Sequence, residues 1–457
     1  MKRWGGFAFA TSGALWLLAL LFAFVSPLPA AEQRFPPPEF ETGHKLPITT
    51  TPGPRALARE FLDAGVLLAA LGIATWLVYR RRSRRGLMAL SIASVAYFGF
   101  YRQGCICAIG AVQNVALGIC DPSYAIPLTV LVFFFAPLVF ALFAGRVFCA
   151  GVCPHGALQD LVLIKPLKVP GWLEHGLGLI PFVFLGAGVA FAATGSAFVI
   201  CRYDPFVPLF RLTGSVSLLT LGAAFIVTGM FVGRPYCRFL CPYGALLRLG
   251  SLVSKWRVRV TPDFCTQCRL CEHSCPYGAM REPVVAAAQP EPPARQRRRL
   301  AWLLVALPLL ITAGALGGAR LAPAAARLHP TVALVEQHLR QQKAPVTHPP
   351  MTPEALSLER AANDPDPLIA SARKIRERVT LACWLFGGWV GLVIGIKLIA
   401  LSLRPARTDY EPDRGACVAC ARCFEYCPNE LVRRGIAPAG PLKTAAPELV
   451  ALVEQRR

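Results

Sequence analysis

One cysteine rhythm occurs twice in this chain, as Cys265-x2-Cys268-x2-Cys271-x3-Cys275-Pro276 and as Cys417-x2-Cys420-x2-Cys423-x3-Cys427-Pro428. Four thiolates at this spacing wrap a cubane iron–sulfur cluster, and the proline turns the chain away after the last ligand. A zinc site usually pairs two short Cys-x-x-Cys units across a longer gap. An unbroken 2-2-3 run ending in proline is the bacterial ferredoxin pattern, and in two-cluster ferredoxins the fourth cysteine of each run ligates the other run's cluster. The spacing therefore predicts one 4Fe-4S cluster on Cys265, Cys268, Cys271 and Cys427, and a second on Cys417, Cys420, Cys423 and Cys275.

The rest of the chain decides where such a pair can sit. Of 457 residues, 54% are hydrophobic and only 16% are charged, with a mean hydropathy of +0.48. Apolar runs of about 17–25 residues, the length that crosses a bilayer, recur along the sequence. The net charge of +22 lies in short loops beside these runs, where cytoplasmic positive charge gathers, so no nucleic-acid partner is expected. Seventeen cysteines in a long apolar chain do not read as a secreted disulfide scaffold.

These patterns predict an all-α polytopic membrane protein of about seven to eight transmembrane helices carrying a small two-cluster ferredoxin-like cytoplasmic module. Residues 1–31 read as a signal peptide or a first transmembrane helix, and 32–60 as a proline- and threonine-rich outer linker. A transmembrane core spans 61–260, with apolar runs at 61–79, 86–101, 126–144, 177–200 and 215–232. Residues 261–290 carry the first ferredoxin motif, 300–321 leave the cytoplasm, 322–378 form a polar outer loop and 379–403 return. Residues 404–457 hold the second motif and the tail. Arg80-Arg81-Arg82-Ser83-Arg84-Arg85 fixes the inner side, and the count of spans then delivers both motifs to it. Arg373, Lys374, Arg376 and Arg378 at the outer end of the last helix run against the rule, which long loops obey poorly.

A second repeat lies in the core. Gly145-Arg146-Val147-Phe148-Cys149-x3-Cys153-Pro154-His155-Gly156-Ala157-Leu158 matches Gly233-Arg234-Pro235-Tyr236-Cys237-x3-Cys241-Pro242-Tyr243-Gly244-Ala245-Leu246. Cysteines four apart in a helical turn share a face, so Cys149, Cys153, Cys237 and Cys241 are candidates for a metal or redox site; the alternative is buried structural thiols. Cys105, Cys107, Cys120 and Cys201 share the outer face by the same count, as a further metal site or as two disulfides. Cys107-Ala108-Ile109-Gly110-Ala111-Val112-Gln113-Asn114 echoes Cys153-Pro154-His155-Gly156-Ala157-Leu158-Gln159-Asp160, as an inverted copy would. Cys383 reads as packing.

Twin Cys-x3-Cys-Pro elements after apolar helices, followed by bacterial ferredoxin motifs, resemble the membrane polyferredoxins of the NosR and NapH type. The resemblance runs from about Gly86 to Pro428. It implies passage of electrons across a bacterial cytoplasmic membrane, from a cytoplasmic or quinol-linked donor to an extracytoplasmic reductase or its maturation system. NosR carries a large outer flavin-binding domain; here that position holds only a short linker, so flavin is not expected on this chain and a separate flavoprotein is a candidate partner. A redox-sensing or metalloenzyme-maturation role is the alternative.

Other chemistries lack their signatures. No Cys-x-x-Cys-His occurs, which removes c-type haem by that pattern. None of the seven histidines falls mid-span, as a histidine-ligated haem b would need. There is no phosphate loop or dinucleotide fingerprint. Asp63 is the lone acid within an expected span, against a pump or transporter. The ferredoxin and core cysteines thus mark an electron-transfer component rather than a stand-alone enzyme.

Overall fold

The computed structural model describes residues 57–104, 108–195, 198–260, 265–283, 293–343, 366–403, 407 and 409–436. The expected signal peptide or first helix, most of the outer linker, Cys105 and Cys107 lie outside them. The described residues are mostly helical, and four helices among them are long and apolar enough to cross a membrane: Ala58–Arg81, Gly171–Ala193, Arg295–Ala326 and Ile369–Ser402. Leu128–Ala144 and Val216–Gly229 are apolar but shorter. The expected run 86–101 forms the helix Arg84–Ser94 continued by a π-helical turn, Val95–Tyr101.

Several boundaries differ from expectation for a common reason: local helical order continues beyond the apolar stretch. The last two spans belong to helices Pro293–Ala326 and Asp366–Ser402. The stretch expected as a polar outer loop contains a further helix, Pro330–Lys343, packed on the last one.

The last two spans form a close hairpin. A Cβ added at Gly314 or Gly318 would collide with the backbone of Gly387 or Cys383, and one at Gly391 with that of Leu310. Small residues four apart let two helix backbones touch, which is how helices associate where lipid removes the hydrophobic drive. Gly387→Leu is expected to destabilise this hairpin by about 1–3 kcal/mol or more through overpacking. A lowered unfolding midpoint in detergent checks it. The hairpin is tied to the core where Trp389 Nε1 donates to Phe182 O at 2.8 Å.

Between the spans the chain folds into fragments too short to cross a bilayer: Val147–Gly151, Pro154–Leu161, Val199–Arg202, Phe206–Arg211, Pro235–Phe239 and Pro242–Leu252. Each chemistry-bearing core cysteine that the structure describes, other than Cys120, sits on or beside one of them. Hydrophobic counting sees only the runs on either side. These fragments contribute to the buried core through Val147, Phe148, Ala157, Phe206, Tyr236 and Tyr243.

The two ferredoxin motifs, far apart in sequence, come together as one unit. Met280–Arg281 pairs antiparallel with Glu411–Pro412, and the short helices Leu270–Ser274 and Arg422–Tyr426 pack on one another. The unit docks against the Arg80–Arg85 end of the first span. Arg82 pairs with Glu430 at 2.7 Å and lies over the Phe424 ring.

Candidate metal centres

Each ferredoxin loop curls through left-handed backbone at matching positions: Gln267 and Arg269 in the first, Ala419 and Ala421 in the second. Non-glycine residues rarely adopt this region. Its repetition marks a backbone shaped around an object, with N–H groups turned toward the cysteines. Gln267 N donates to Cys265 Sγ at 3.4 Å. The amides of Tyr277, Ala279 and Met280 turn on Cys275, that of Ala419 on Cys417, and those of Asn429 and Glu430 on Cys427.

Cys265, Cys268, Cys271 and Cys427 line one small cavity with Val260 and Tyr410. Burial first, then the charges of Cys427, Cys268 and Cys265, push the Cys271 thiol up to about 12. Cys423 is raised by burial and then by Cys420, Cys417 and Cys275. The structure thus groups the thiols across the two motifs, each fourth cysteine beside the other run. Asp413 shapes the approach to Cys417: its carboxylate accepts from Gly415 N and Ala416 N, both at 2.9 Å, and pairs with Arg281 of the first motif at 3.2 Å.

The core thiols Cys149, Cys153, Cys237 and Cys241 also converge. Burial, then the charges of Cys237, Cys153 and Cys149, raise Cys241. Gln159 Nε2 donates to Cys237 Sγ at 3.4 Å and Gly244 N to Cys241 Sγ at 3.3 Å. Arg146 Nη2 stands 3.8 Å from Cys149 Sγ, and its Nη1 reaches Gly415 O at 3.1 Å. Bare thiols so deeply buried are poor thiolates; N–H donors and an arginine aimed at sulfur suit a thiolate-ligated centre.

Among the described residues no three His, Cys, Asp or Glu side chains close tightly enough to hold a single metal ion. A cubane is several atoms across, so its ligands stand around a cavity rather than meet at a point. An all-thiol donor set, N–H groups turned on sulfur and left-handed loops fit such a cluster.

His155 and Asp160, which the sequence sets beside the inner thiols as candidates for handling quinol protons, link these groups through partners that the sequence did not mark. Asp160, 2% exposed, pairs with Arg234 Nη2 at 2.7 Å and with Arg84 Nη2 at 3.2 Å. It also accepts from Tyr277 Oη, and Arg234 donates to Cys149 O. Burial alone would raise the Asp160 carboxyl, but Arg234 and then Arg84 hold it well below the usual carboxylate range. Tyr277 lies two residues past Cys275 and Arg234 three before Cys237, so this hub joins the ferredoxin unit to the core thiols. A signal existed: Arg146 and Arg234 occupy the same place in the repeated element.

On the other side of the core thiols, His155 (1% exposed) meets Asp204, with Nε2 to Oδ2 at 3.2 Å. Asp204 lies three residues past Cys201. The inverted copy has matching bonds. Gln113 Oε1 accepts from Cys201 N at 3.1 Å, as Gln159 Oε1 accepts from Tyr236 N at 3.1 Å. Gly110 occupies the place of Gly156, and a Cβ on it would lie 2.8 Å from Cys201 Sγ. Gly110→Ala is therefore expected to displace the Cys201 thiol, measurable as a changed alkylation rate.

One expected member of the outer group does not belong there. Cys120 ends the helix Ala108–Cys120. It stands about 15 Å along the axis from Gly110, at 1.5 Å rise per residue, and so about that far from Cys201. Cys383 is half-buried in the hairpin, as expected of packing.

Comparison with known proteins agrees with this chemistry. A family model described as a 4Fe-4S binding domain matches residues 126–169 and 214–261, each stretch holding one Cys-x3-Cys-Pro element. Another of the same description matches 258–281, the first ferredoxin motif. Protein NirI of Paracoccus denitrificans is 30% identical over 215 residues, 44% of this chain and 31% of that protein. Uncharacterized protein MJ0750 of Methanocaldococcus jannaschii is 30% identical over 189 residues, 39% of this chain and 76% of that protein. Regulatory protein NosR of Pseudomonas aeruginosa is 26% identical over 241 residues, 47% of this chain and 32% of that protein. The matched stretch thus spans about a third of the length of NirI and of NosR. No solved structure matches. With its repeated 4Fe-4S elements on a helical membrane core, the chain belongs to the family of ferredoxin-type membrane proteins that includes NosR and NapH.

Proposed function

We propose that this protein is a transmembrane electron conduit. Its donor is cytoplasmic or quinol-linked, and its acceptor is an extracytoplasmic redox protein, with a separate flavoprotein a candidate. Cys265, Cys268, Cys271 and Cys427 hold one 4Fe-4S cluster, and Cys417, Cys420, Cys423 and Cys275 the second. Cys149, Cys153, Cys237 and Cys241 hold an inner centre in the membrane core. Cys201 with Cys105 and Cys107 forms an outer one. When bound, such clusters supply one-electron transfer.

The observation that carries this reading is the unbroken line of protein between the thiol groups. Arg146 and the Asp160–Arg234–Tyr277 hub join the ferredoxin unit to the core thiols, and His155–Asp204 joins those to the segment of Cys201. A hydrocarbon core of roughly 30 Å is long for one electron step; cysteines carried inward on short helices divide it. The outer site draws support from Gln113, whose Nε2 is buried without a partner among the described residues where its counterpart Gln159 donates to a thiol. The positive end of the first span, which holds the ferredoxin unit, supports a cytoplasmic location for it. The helix Arg84–Ser94 with its continuation Val95–Tyr101, and the shorter Leu128–Ala144 and Val216–Gly229, bring the crossings to about seven.

Iron and acid-labile sulfide per chain, with EPR during stepwise reduction, test the inner station. The expected result is more iron than two cubanes hold, with the excess lost in the variant Cys149→Ser/Cys237→Ser. Two clusters' worth, unchanged in that variant, would remove the station the conduit needs.

A second reading draws on two relatives named regulatory proteins: the same clusters would report redox state to a partner. It predicts cluster reduction without net electron flux across the membrane.

A further inference from the structure

A cleft opens where the ferredoxin unit meets two membrane spans. One wall carries Pro181 and Phe182 of the span Gly171–Ala193 and Lys397 of the span Ile369–Ser402; the other carries Ala416 and Val418 beside Cys417. Its polar lining is dominated by cations: Arg146, Arg238, Arg248, Arg281 and Lys397. A cleft at the end of two spans lies at the headgroup level of a bilayer.

The charges do not balance. Arg238 is held by Glu174 at 3.0 Å and Arg281 by Asp413 at 3.2 Å. Arg146 turns to Cys149 and Gly415. Among the described residues no carboxylate comes within ion-pair distance of Arg248 or Lys397. Arg248 is nonetheless drawn in: a Cβ on Gly415 would lie 3.1 Å from its Nε, and one on Gly178 3.9 Å from its Nη1. Burial, with Arg146 and Arg281 nearby, outweighs Asp413 and Glu174 and pulls the Arg248 pKa down. The nearby carboxylates of Glu174 and Asp413 are already engaged by Arg238 and Arg281, so two neighbouring cations beside an apolar wall call for an anion of their own. Basic pockets between membrane helices on the cytoplasmic side bind anionic headgroups in this way.

We infer that this cleft binds a phosphate-bearing anion, with Arg248 and Lys397 as its principal contacts. Neither residue touches a cluster thiol. The phosphate can come from an anionic phospholipid or from solution, and the test separates them. Holoprotein in mild detergent is examined by native mass spectrometry after exchange into phosphatidylglycerol or phosphatidylcholine. Delipidated holoprotein is titrated with inorganic phosphate. Wild type should retain phosphatidylglycerol over phosphatidylcholine, or bind phosphate, and Arg248→Gln/Lys397→Gln should weaken whichever is bound at least tenfold with iron content unchanged. Arg248→Lys should keep most of the binding. Phosphate displaced by phosphatidylglycerol marks a lipid site; phosphate that is not displaced marks a soluble one; either supports the inference. Wild-type protein that prefers neither probe would overturn it, with no variant needed, as would equal binding by an iron-replete double variant.

Discussion

Asp160→Ala is expected to destabilise the holoprotein by about 3–5 kcal/mol, the cost of stranding buried partner charges. Arg234 is 1% exposed and Arg84 is buried, so neither guanidinium can turn to water once the carboxylate is gone. The loss would also fall on function, because Asp160 ties Tyr277 of the ferredoxin unit to Arg234 of the core element. Asp160→Asn keeps the shape and removes the charge, and should stand between wild type and alanine. Thermal unfolding in detergent, read beside iron retention, checks both. An alanine variant as stable as wild type would mean that the hub is not the joint between the two parts.

The second large effect concerns which cysteines share a cluster. Cys427 faces Cys265, Cys268 and Cys271 across a small cavity, whereas Cys275 lies with Cys417, Cys420 and Cys423. Paired variants make this decisive. Cys268→Ser/Cys427→Ser should strike one cluster and leave the other EPR signal intact. Cys420→Ser/Cys427→Ser should strike both and abolish the ferredoxin signals. Ligation within each contiguous motif reverses the two outcomes. Crossed ligation also makes each cluster a staple across a long insertion that includes the membrane hairpin, so loss of either should loosen the pairing of Met280–Arg281 with Glu411–Pro412.

The ferredoxin thiols were the most legible part of the sequence, because cysteine spacing marks a thiolate cage and the two-cluster rule predicts that each fourth cysteine lies with the other run. The spans were legible where an apolar run stands alone, as in the closing hairpin, and less so in the core. There, fragments such as Pro154–Leu161 and Phe206–Arg211 carry no periodicity long enough to read. The left-handed residues Gln267, Arg269, Ala419 and Ala421 are not glycines and gave no local signal. Asp160 was visible beside the repeat, but its partners Arg84 and Tyr277 come from distant segments. Asp204 could be found only once the fold set it against His155. Cys120 shows the converse: the count of spans assigned it a face, but a helix of 13 residues carries it away from Cys201.

The claim that these groups form one conduit is met most directly in inside-out vesicles. The ferredoxin unit is reduced from outside by dithionite while ferricyanide is trapped within. The reduced clusters are expected to be reoxidised and the trapped ferricyanide bleached, with both rates falling at least tenfold in Cys237→Ser and in Cys201→Ser. Clusters that stay reduced beside an unchanged ferricyanide pool, with full iron content, would contradict it.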